Sequence, residues 1–169
     1  MMVMRAIDVR DLVDSPGSTK TVRVDEAVEG LHTELAEVSG DQRLSGDLTL
    51  ESVVDGVYAT GTIRGTMALR CARCLKEFTQ PFDVEMHELF PLRPGPEDDY
   101  ELGEDLTLDP EQMVRDSVVL SMPFSPLCRP DCLGLCPRCG GDRNLGECTC
   151  SEEVVDPRWA GLEQLFRDP

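Results

Sequence analysis

The clearest structural signal in the chain is the stretch Leu48-Thr-Leu-Glu-Ser-Val-Val-Asp-Gly-Val-Tyr-Ala-Thr-Gly-Thr-Ile63. Apolar and polar side chains alternate on both sides of Asp55-Gly56, which is the period of a strand with one buried face. We predict a β-hairpin here, with Asp55-Gly56 supplying the two positive φ angles of a tight turn. The alternation extends from Arg43 to about Leu89 and predicts an antiparallel β-meander.

Weaker strand signals precede the meander, and an acidic segment follows it. Met4–Val9 and Thr19–Val24 are predicted strands, whereas Gly30–Val38 fits either a strand or a short helix. Residues 91–108 contain six acids and no base between Glu97 and Asp105. Such a segment is typical of a solvated or partly disordered loop.

Two helices are predicted from their N-terminal signals. Asp109-Pro110 is typical of an N-cap followed by proline at the first helical position, and Pro123 ends this helix. The buried stripe of the first helix is predicted to be Met113, Val114 and Val118. Asp156-Pro157 repeats the cap signal. The apolar face of the second helix is predicted to be Trp159, Leu162 and Phe166.

These elements predict an α+β fold, an antiparallel β-meander or small open barrel with two helices and a C-terminal cysteine-rich zinc knuckle. Residues 1–125 are predicted to form a mainly antiparallel β domain with one helix. Residues 126–169 are predicted to form the zinc knuckle with the C-terminal helix packed on it. Only 5% of residues are aromatic, so the core must be largely aliphatic.

The chain is strongly acidic, with 33 Asp and Glu against 16 Lys and Arg and a formal net charge of −17. This charge repels polyphosphate, so it argues against generic nucleic-acid binding and suits either solubility or a basic partner. No stretch reaches the roughly 18 apolar residues of a membrane span. Charged residues interrupt Met1–Val13, which argues against a signal peptide, so we expect a cytoplasmic protein.

Eight cysteines with short spacings indicate metal sites, because disulfides do not persist in a reducing cytosol. Structural zinc takes four tetrahedral ligands, so eight thiols suit two ions. One predicted site, here called the local tetrad, consists of Cys136, Cys139, Cys148 and Cys150. The other, here called the bridging tetrad, consists of Cys71, Cys74, Cys128 and Cys132. If the bridging tetrad does not form, the chain holds one zinc, and Cys71 and Cys74 are left free or redox-active.

Catalytic roles are not expected. Catalytic zinc keeps an open position and often a histidine ligand, but neither His32 nor His87 adjoins a cysteine in the sequence. The chain also lacks a Gly-rich phosphate loop and a paired-carboxylate pattern, so we expect no enzyme. A redox role for Cys71-Ala-Arg-Cys74 would require a helix N-terminus, whereas the pair follows a predicted strand.

The most basic part of the chain surrounds the first cysteine pair, as a run formed by Arg64, Arg70, Arg73 and Lys76. Two interpretations remain open. The run could contact RNA, or it could offset the charge of about −2 that zinc with four thiolates carries.

Several cysteine motifs resemble those of one known family. The motifs are Arg70-Cys-Ala-Arg-Cys-Leu75, Met122-Pro-Phe-Ser-Pro-Leu-Cys128, Cys132-Leu-Gly-Leu-Cys-Pro-Arg-Cys-Gly140 and Cys148-Thr-Cys150. Together they resemble the cysteine-rich bacterial form of the YceD family, the large ribosomal RNA subunit accumulation proteins, from about Val3 to Phe166. The resemblance implies a cytosolic protein needed for large-subunit rRNA to accumulate, without established enzymatic activity. Genes of the family commonly neighbour that of a small basic ribosomal protein.

The resulting hypothesis is a non-enzymatic, zinc-stabilised factor that supports rRNA accumulation and ribosome assembly. It would hold a basic ribosomal protein or a pre-ribosomal particle. The alternatives are a direct RNA-binding factor that uses the basic run, and a thiol redox protein.

Overall fold

The computed structural model describes residues 4–150. This part of the chain is an antiparallel half-barrel with two helices, followed by a cysteine-rich segment. The elements, in chain order, are β1 (Ile7–Asp8), α1 (Arg10–Val13), β2 (Thr19–Ala27), β3 (Leu31–His32), β4 (Ala36–Val38), β5 (Arg43–Val53), β6 (Gly56–Arg70), β7 (Glu77–Pro91), β8 (Thr107–Leu108) and α2 (Glu111–Ser121).

Strand β6 is the centre of a six-stranded sheet with the order β2-β5-β6-β4-β3, in which β7 pairs with the other edge of β6. The first part of β6 pairs with β5, and Leu69 near its end pairs with Ala36 of β4. The β6–β7 pairing runs without interruption from Gly56↔Pro91 to Arg70↔Glu77. The predicted meander is therefore confirmed as β5–β6–β7, and the far end of the β6–β7 hairpin carries the first cysteine pair.

The β5–β6 hairpin forms where the sequence predicts it, but the predicted turn residues are wrong. Val53 pairs with Gly56, so Val54 and Asp55 form the turn, and none of Val54, Asp55 and Gly56 has a positive φ. Gly56 is instead the first residue of β6. A Cβ there would lie 2.2 Å from the carbonyl oxygen of Phe90 on β7. Close approach of the neighbouring strand, and not turn geometry, therefore favours glycine.

One face of the sheet buries the alternating residues of β6. Val57, Ala59 and Ile63 of β6 are all fully buried, as the period-two pattern predicts. Helix α2 packs against this layer through β7 and β3. It buries the predicted stripe completely, namely Met113, Val114 and Val118. Burying side chains of this size contributes about 1.5–3 kcal/mol each, so this stripe accounts for the docking of α2.

The boundaries of α2 follow the capping signals. The Oδ1 of Asp109 accepts a hydrogen bond from the backbone N–H of Glu111 at 2.9 Å, which satisfies one of the unpaired donors of the first turn. The helix ends at Ser121, and Met122 is already extended ahead of Pro123. This helix is thus confirmed, but it begins at Glu111 with Pro110 at the N-cap, one residue later than predicted.

The other predicted elements have mixed outcomes. Thr19–Val24 is confirmed as part of β2, and Gly30–Val38 forms the strands β3 and β4 instead of a helix. Met4–Val9 contributes only the two-residue strand β1, which pairs with β8. Helix α1 has no counterpart in the prediction. The helix predicted after Asp156-Pro157 lies outside the described residues.

The acidic segment between β7 and β8 is a loop with its six carboxylates exposed, and one aromatic side chain anchors it. The ring centroid of Tyr100 lies 5.4 Å from that of Phe90. Its hydroxyl donates a hydrogen bond to Oδ2 of Asp116 on α2 at 3.2 Å. Burial, together with the neighbouring carboxylate of Asp116, raises the pKa of Tyr100 to about 12. The loop is therefore tied to the core at its middle.

Within residues 4–150, both helices fall short of the length and apolar character that a membrane crossing requires.

Candidate metal centre

The turn that joins β6 to β7, residues 71–76, is built by two backbone hydrogen bonds. The N–H of Leu75 donates to the carbonyl of Cys71 at 2.9 Å, and the N–H of Cys71 donates to the carbonyl of Lys76 at 2.9 Å. Leu75 has a φ of 61°, which is uncommon for a residue other than glycine. The turn leaves the thiols of Cys71 and Cys74 close together at the end of the hairpin.

The turn at residues 136–141 repeats this arrangement. The N–H of Gly140 donates to the carbonyl of Cys136 at 2.8 Å, and the N–H of Cys136 donates to the carbonyl of Gly141 at 2.9 Å. Gly140 has a φ of 74° at the position that Leu75 occupies in the first turn. Residues 4–150 therefore contain two copies of one knuckle, each presenting two cysteines separated by two residues.

The bridging tetrad joins the first knuckle to the segment after α2. The Sγ atoms of Cys74 and Cys128 are 3.6 Å apart, and those of Cys71 and Cys132 are 3.8 Å apart. A disulfide would require about 2.05 Å. Zinc–sulfur bonds of about 2.3 Å in a tetrahedron give sulfur–sulfur separations of about 3.8 Å. The four thiols are therefore spaced for one tetrahedral ion.

The local tetrad is assembled from the second knuckle and the two cysteines that follow it. Its four members are the ones grouped in the sequence analysis, and all its sulfur atoms lie within 4.8 Å of one another, as do those of the bridging tetrad. Cys136 is buried, whereas Cys139 is exposed. Both groups of four can hold a metal ion.

Electrostatics within the bridging tetrad favours a bound cation. Burial raises the pKa of the Cys71 thiol, but the backbone N–H groups of Cys128, Cys74 and Arg73 outweigh this effect and lower it to about 6. Burial and the adjacent thiols, that of Cys74 first among them, raise the pKa of Cys128. Ionising all four thiols at these separations would place four negative charges within 4.8 Å of one another, which a bound cation would offset.

The local tetrad has the same asymmetry. Backbone N–H groups of Cys139 and Arg138, together with the side chain of Cys148, lower the pKa of Cys136 to about 6. The thiols of Cys139, Cys148 and Cys136 raise the pKa of Cys150. In both knuckles the first cysteine therefore receives the N–H groups of the turn, an arrangement that also orients a metal-bound thiolate.

Arg73 holds the first knuckle against the backbone of residues 132–135. Its Nη1 donates to the carbonyl of Cys132 at 2.8 Å, and its own carbonyl accepts the N–H of Leu135 at 3.0 Å. Gly134, with a φ of 74°, allows this approach, since a Cβ there would lie 2.9 Å from the Arg73 carbonyl oxygen. The guanidinium of Arg73 is therefore already engaged in shaping the bridging tetrad.

The remaining residues of the basic run do not form one compact patch. Arg64 and Arg70 both lie exposed on the outer face of β6, but they are six positions apart, which corresponds to about 20 Å along a strand. Arg64 is paired in register with Asp83, and Arg70 lies 3.6 Å from Glu77 as an ion pair. Lys76 is exposed beside the first knuckle.

Sequence reasoning did not identify Asn144, which lies in the gap between Cys139 and Cys148. Its side-chain Nδ2 is 3.6 Å from the Sγ of Cys132 in the other tetrad. Nothing in the spacing of the cysteines singles out this residue, because its role depends on how the two knuckles lie against each other. The chain's two histidines, His32 and His87, are both exposed and belong to neither tetrad.

Comparisons with known proteins place these features in a family. The family described as "Large ribosomal RNA subunit accumulation protein YceD" matches residues 59–166, which include all eight cysteines. An uncharacterised protein of Mycobacterium tuberculosis is 41% identical over 139 residues, covering 79% of this chain and 67% of the relative. The YlbN protein of Bacillus subtilis, also uncharacterised, is 30% identical over 151 residues, covering 85% and 87%. No solved structure matches. The chain therefore belongs to the YceD family, the large ribosomal RNA subunit accumulation proteins.

Proposed function

We propose that this chain is a zinc-stabilised, non-enzymatic factor that supports large-subunit rRNA accumulation by holding a basic ribosomal protein during assembly. The observation that carries the proposal is the family match, because YceD membership implies a role in large-subunit rRNA accumulation. The match spans both tetrads, so the cysteine-rich segment belongs to the part of the chain that carries this role.

Zinc is the metal that the donor set suits best. All eight candidate ligands are sulfur, and soft thiolates in tetrahedral groups of four favour zinc over magnesium, calcium or manganese. Four sulfur ligands leave no open coordination position, which suits a structural ion and not a Lewis-acid catalyst. Bound zinc would supply a cross-link, and the protein residues would supply the fold and the recognition surface.

The charge distribution supports a basic protein partner over direct RNA binding. The acidic loop presents six exposed carboxylates between Glu97 and Asp105. The basic run, in contrast, is divided between the outer face of β6 and the first knuckle, where Arg73 is engaged by Cys132. The cysteine-rich segment 126–150 contains three acids and three bases, so its protein charge is balanced before any thiolate is counted. The negative charge of the acidic loop attracts cationic proteins and repels phosphates.

The test is complementation of a strain that lacks the gene, with large-subunit rRNA levels and co-purifying proteins as readouts. One variant removes four carboxylates of the acidic loop, Glu97→Gln, Asp99→Asn, Glu101→Gln and Glu104→Gln. Its matched control removes four exposed carboxylates elsewhere, Glu34→Gln, Glu37→Gln, Glu51→Gln and Asp55→Asn. We expect the loop variant to lose both rRNA accumulation and the basic partner, and the control to retain both.

The rival is tested by reversing the basic run with Arg64→Glu, Arg70→Glu and Lys76→Glu. Loss of function in this variant alone, together with salt-sensitive RNA binding by the unaltered protein, would favour direct RNA binding. Purification that enriches neither ribosomal proteins nor pre-ribosomal particles would count against both readings.

A further inference from the structure

A residue carried between two ligands of the local tetrad contacts a ligand of the bridging tetrad. Asn144 lies between Cys139 and Cys148 in the sequence, and its Nδ2 is 3.6 Å from the Sγ of Cys132. An N–H donor at this distance makes a hydrogen bond to the sulfur atom, which is one of the four candidate metal ligands of the bridging tetrad. The two tetrads are therefore linked by a side chain as well as by the backbone between Cys132 and Cys136.

The orientation of the Asn144 amide is determined by its other partners. Its Oδ1 accepts the backbone N–H of Leu133 at 2.8 Å and the Nη2 of Arg129 at 2.7 Å. Its Nδ2 donates to Oδ1 of Asp142 at 2.7 Å. The reversed amide would direct its oxygen at a carboxylate and a thiolate and its N–H group at two donors. An N–H group therefore faces the sulfur.

The loop that carries Asn144 follows the second knuckle and is held by backbone contacts with the segment between Cys132 and Cys136. The N–H of Arg143 donates to the carbonyl of Gly134 at 3.0 Å, and Asp142 forms an isolated β-bridge with Leu135. Cys139 and Cys148 lie on either side of this loop, so a metal ion that binds both would restrict the loop ends. Restricting the loop holds the amide of Asn144 against Cys132.

We propose that metal binding at the local tetrad increases the metal affinity of the bridging tetrad, with Asn144 as the positioning residue that couples them. This inference rests on the proposed occupancy of both tetrads. A hydrogen bond from N–H to sulfur stabilises the thiolate over the thiol, and such contacts to metal ligands typically change affinity about 10–100-fold. The coupling is reciprocal, because each site must change the affinity of the other by the same factor.

The chain positions also set the order of filling. The local tetrad draws all its ligands from residues 136–150, whereas Cys74 and Cys128 of the bridging tetrad are 54 positions apart. Closing a short loop costs less conformational entropy than closing a long one. In a titration with Co²⁺ we therefore expect the absorption bands of the local tetrad to appear before those of the bridging tetrad.

The experiment titrates the full-length reduced protein with Co²⁺ against a competing chelator. The sulfur-to-cobalt absorption bands of each tetrad are assigned from Cys74→Ala and Cys139→Ala proteins. The affinity of the bridging tetrad is then measured in the unaltered protein, Asn144→Ala, Cys139→Ala and the double variant. Leu145→Ala is the matched control, since it alters an exposed side chain on the same loop.

We expect Asn144→Ala to weaken Co²⁺ binding at the bridging tetrad about 10-fold when the local tetrad is intact, and to have little effect in the Cys139→Ala background. Leu145→Ala should change neither value. An equal effect of Asn144→Ala in both backgrounds would overturn the coupling, as would no effect in either.

Asn144→Asp provides a second test that does not depend on the double variant folding. It retains the oxygen that accepts from Leu133 but replaces the donor beside sulfur with an acceptor, so the absorption bands of the bridging tetrad should shift. Unchanged bands would overturn the proposal. If the unaltered protein binds two ions and the Asn144 variants leave the affinity and the absorption bands of the bridging tetrad unchanged, only this inference fails. If the protein binds no metal, the proposed role of zinc fails with it.

Discussion

The Sγ atoms of Cys74 and Cys128 lie 3.6 Å apart although 54 positions separate them in the chain. One residue belongs to the turn of the β6–β7 hairpin, and the other follows the end of α2. A metal ion held between them would connect the tip of the longest hairpin to the helix that packs on the sheet. The bridging tetrad would therefore stabilise the whole described fold, whereas the local tetrad stabilises the segment that contains it.

The first prediction concerns metal content and stability. We expect two zinc ions per chain, with Cys71→Ser and Cys136→Ser each removing one. At saturating zinc, Cys71→Ser should also lower the free energy of unfolding of the sheet by about 3 kcal/mol, because the loop it releases is long, as with a lost covalent cross-link. Cys136→Ser should lower the same free energy of unfolding less, by about 1.4 kcal/mol, because a bridging tetrad that binds zinc about 10-fold more weakly stabilises the sheet by that much less. Elemental analysis and urea denaturation measure these two quantities.

A contrary result would be one zinc per chain that only Cys136→Ser removes. In that case free-thiol titration should find Cys71 and Cys74 reactive, and the thiol redox interpretation would gain support.

The second prediction separates two glycines with the same backbone angle. Gly134 and Gly140 both have a φ of 74°, but a Cβ meets the Arg73 carbonyl oxygen at 2.9 Å only at Gly134 and has open space at Gly140. Gly140→Ala should lower zinc affinity at the local tetrad about 5–30-fold, since left-handed backbone costs about 1–2 kcal/mol for alanine. Gly134→Ala should lower zinc affinity by a larger factor, and at the bridging tetrad, because the first knuckle must move to make room for the added Cβ.

Competition titrations with a chromophoric chelator give both affinities. Equal losses of zinc affinity in the two variants would show that the close approach of Arg73 to Gly134 contributes nothing to zinc binding.

The third prediction tests Arg73 against a neighbouring base. The Arg73 guanidinium donates to the Cys132 carbonyl, whereas Lys76 is exposed and contributes its backbone carbonyl to the knuckle. Arg73→Ala should weaken zinc binding at the bridging tetrad about 5-fold, the value of a hydrogen bond of about 1 kcal/mol. Lys76→Ala should leave it unchanged. If both variants weaken zinc binding equally, the effect is one of net charge and not of the Arg73 contact.

The fourth prediction concerns the anchor of the acidic loop. Tyr100→Phe keeps the ring beside Phe90 but loses the hydrogen bond to Asp116, so the variant should be about 1 kcal/mol less stable at neutral pH. The folded pKa of Tyr100, about 12, is above the unfolded value, so its contribution is full below about pH 10 and is lost as pH rises through 12.

Urea denaturation between pH 8 and pH 11 measures this dependence. The stability difference between the unaltered protein and Tyr100→Phe should shrink above pH 10, because the unfolded tyrosine ionises before the folded one. A difference that stays constant over this range would contradict the buried environment assigned to Tyr100.

The fold could be predicted wherever the signal is local. Alternation along β6 depends only on successive side chains pointing to opposite faces, so Val57, Ala59 and Ile63 were identifiable as core. The cap at Asp109 is likewise a contact across two residues. The turn at Val54-Asp55 was mispredicted because the pairing of β6 with β7, and not the turn itself, explains the glycine at position 56.

The sequence by itself determined the alternating meander, helix α2 and the composition of the local tetrad, because strand period, capping and ligand spacing act over a few residues. It left open whether Cys71 and Cys74 join Cys128 and Cys132, which are more than 50 positions away along the chain. Only the tertiary structure decided how those groups meet. The register of β6 and β7 sets the position of the first knuckle, and Arg73 joins it to Cys132. The same packing brings Asn144 to the Cys132 thiol, a contact that depends on the relative position of two knuckles and that no local spacing encodes.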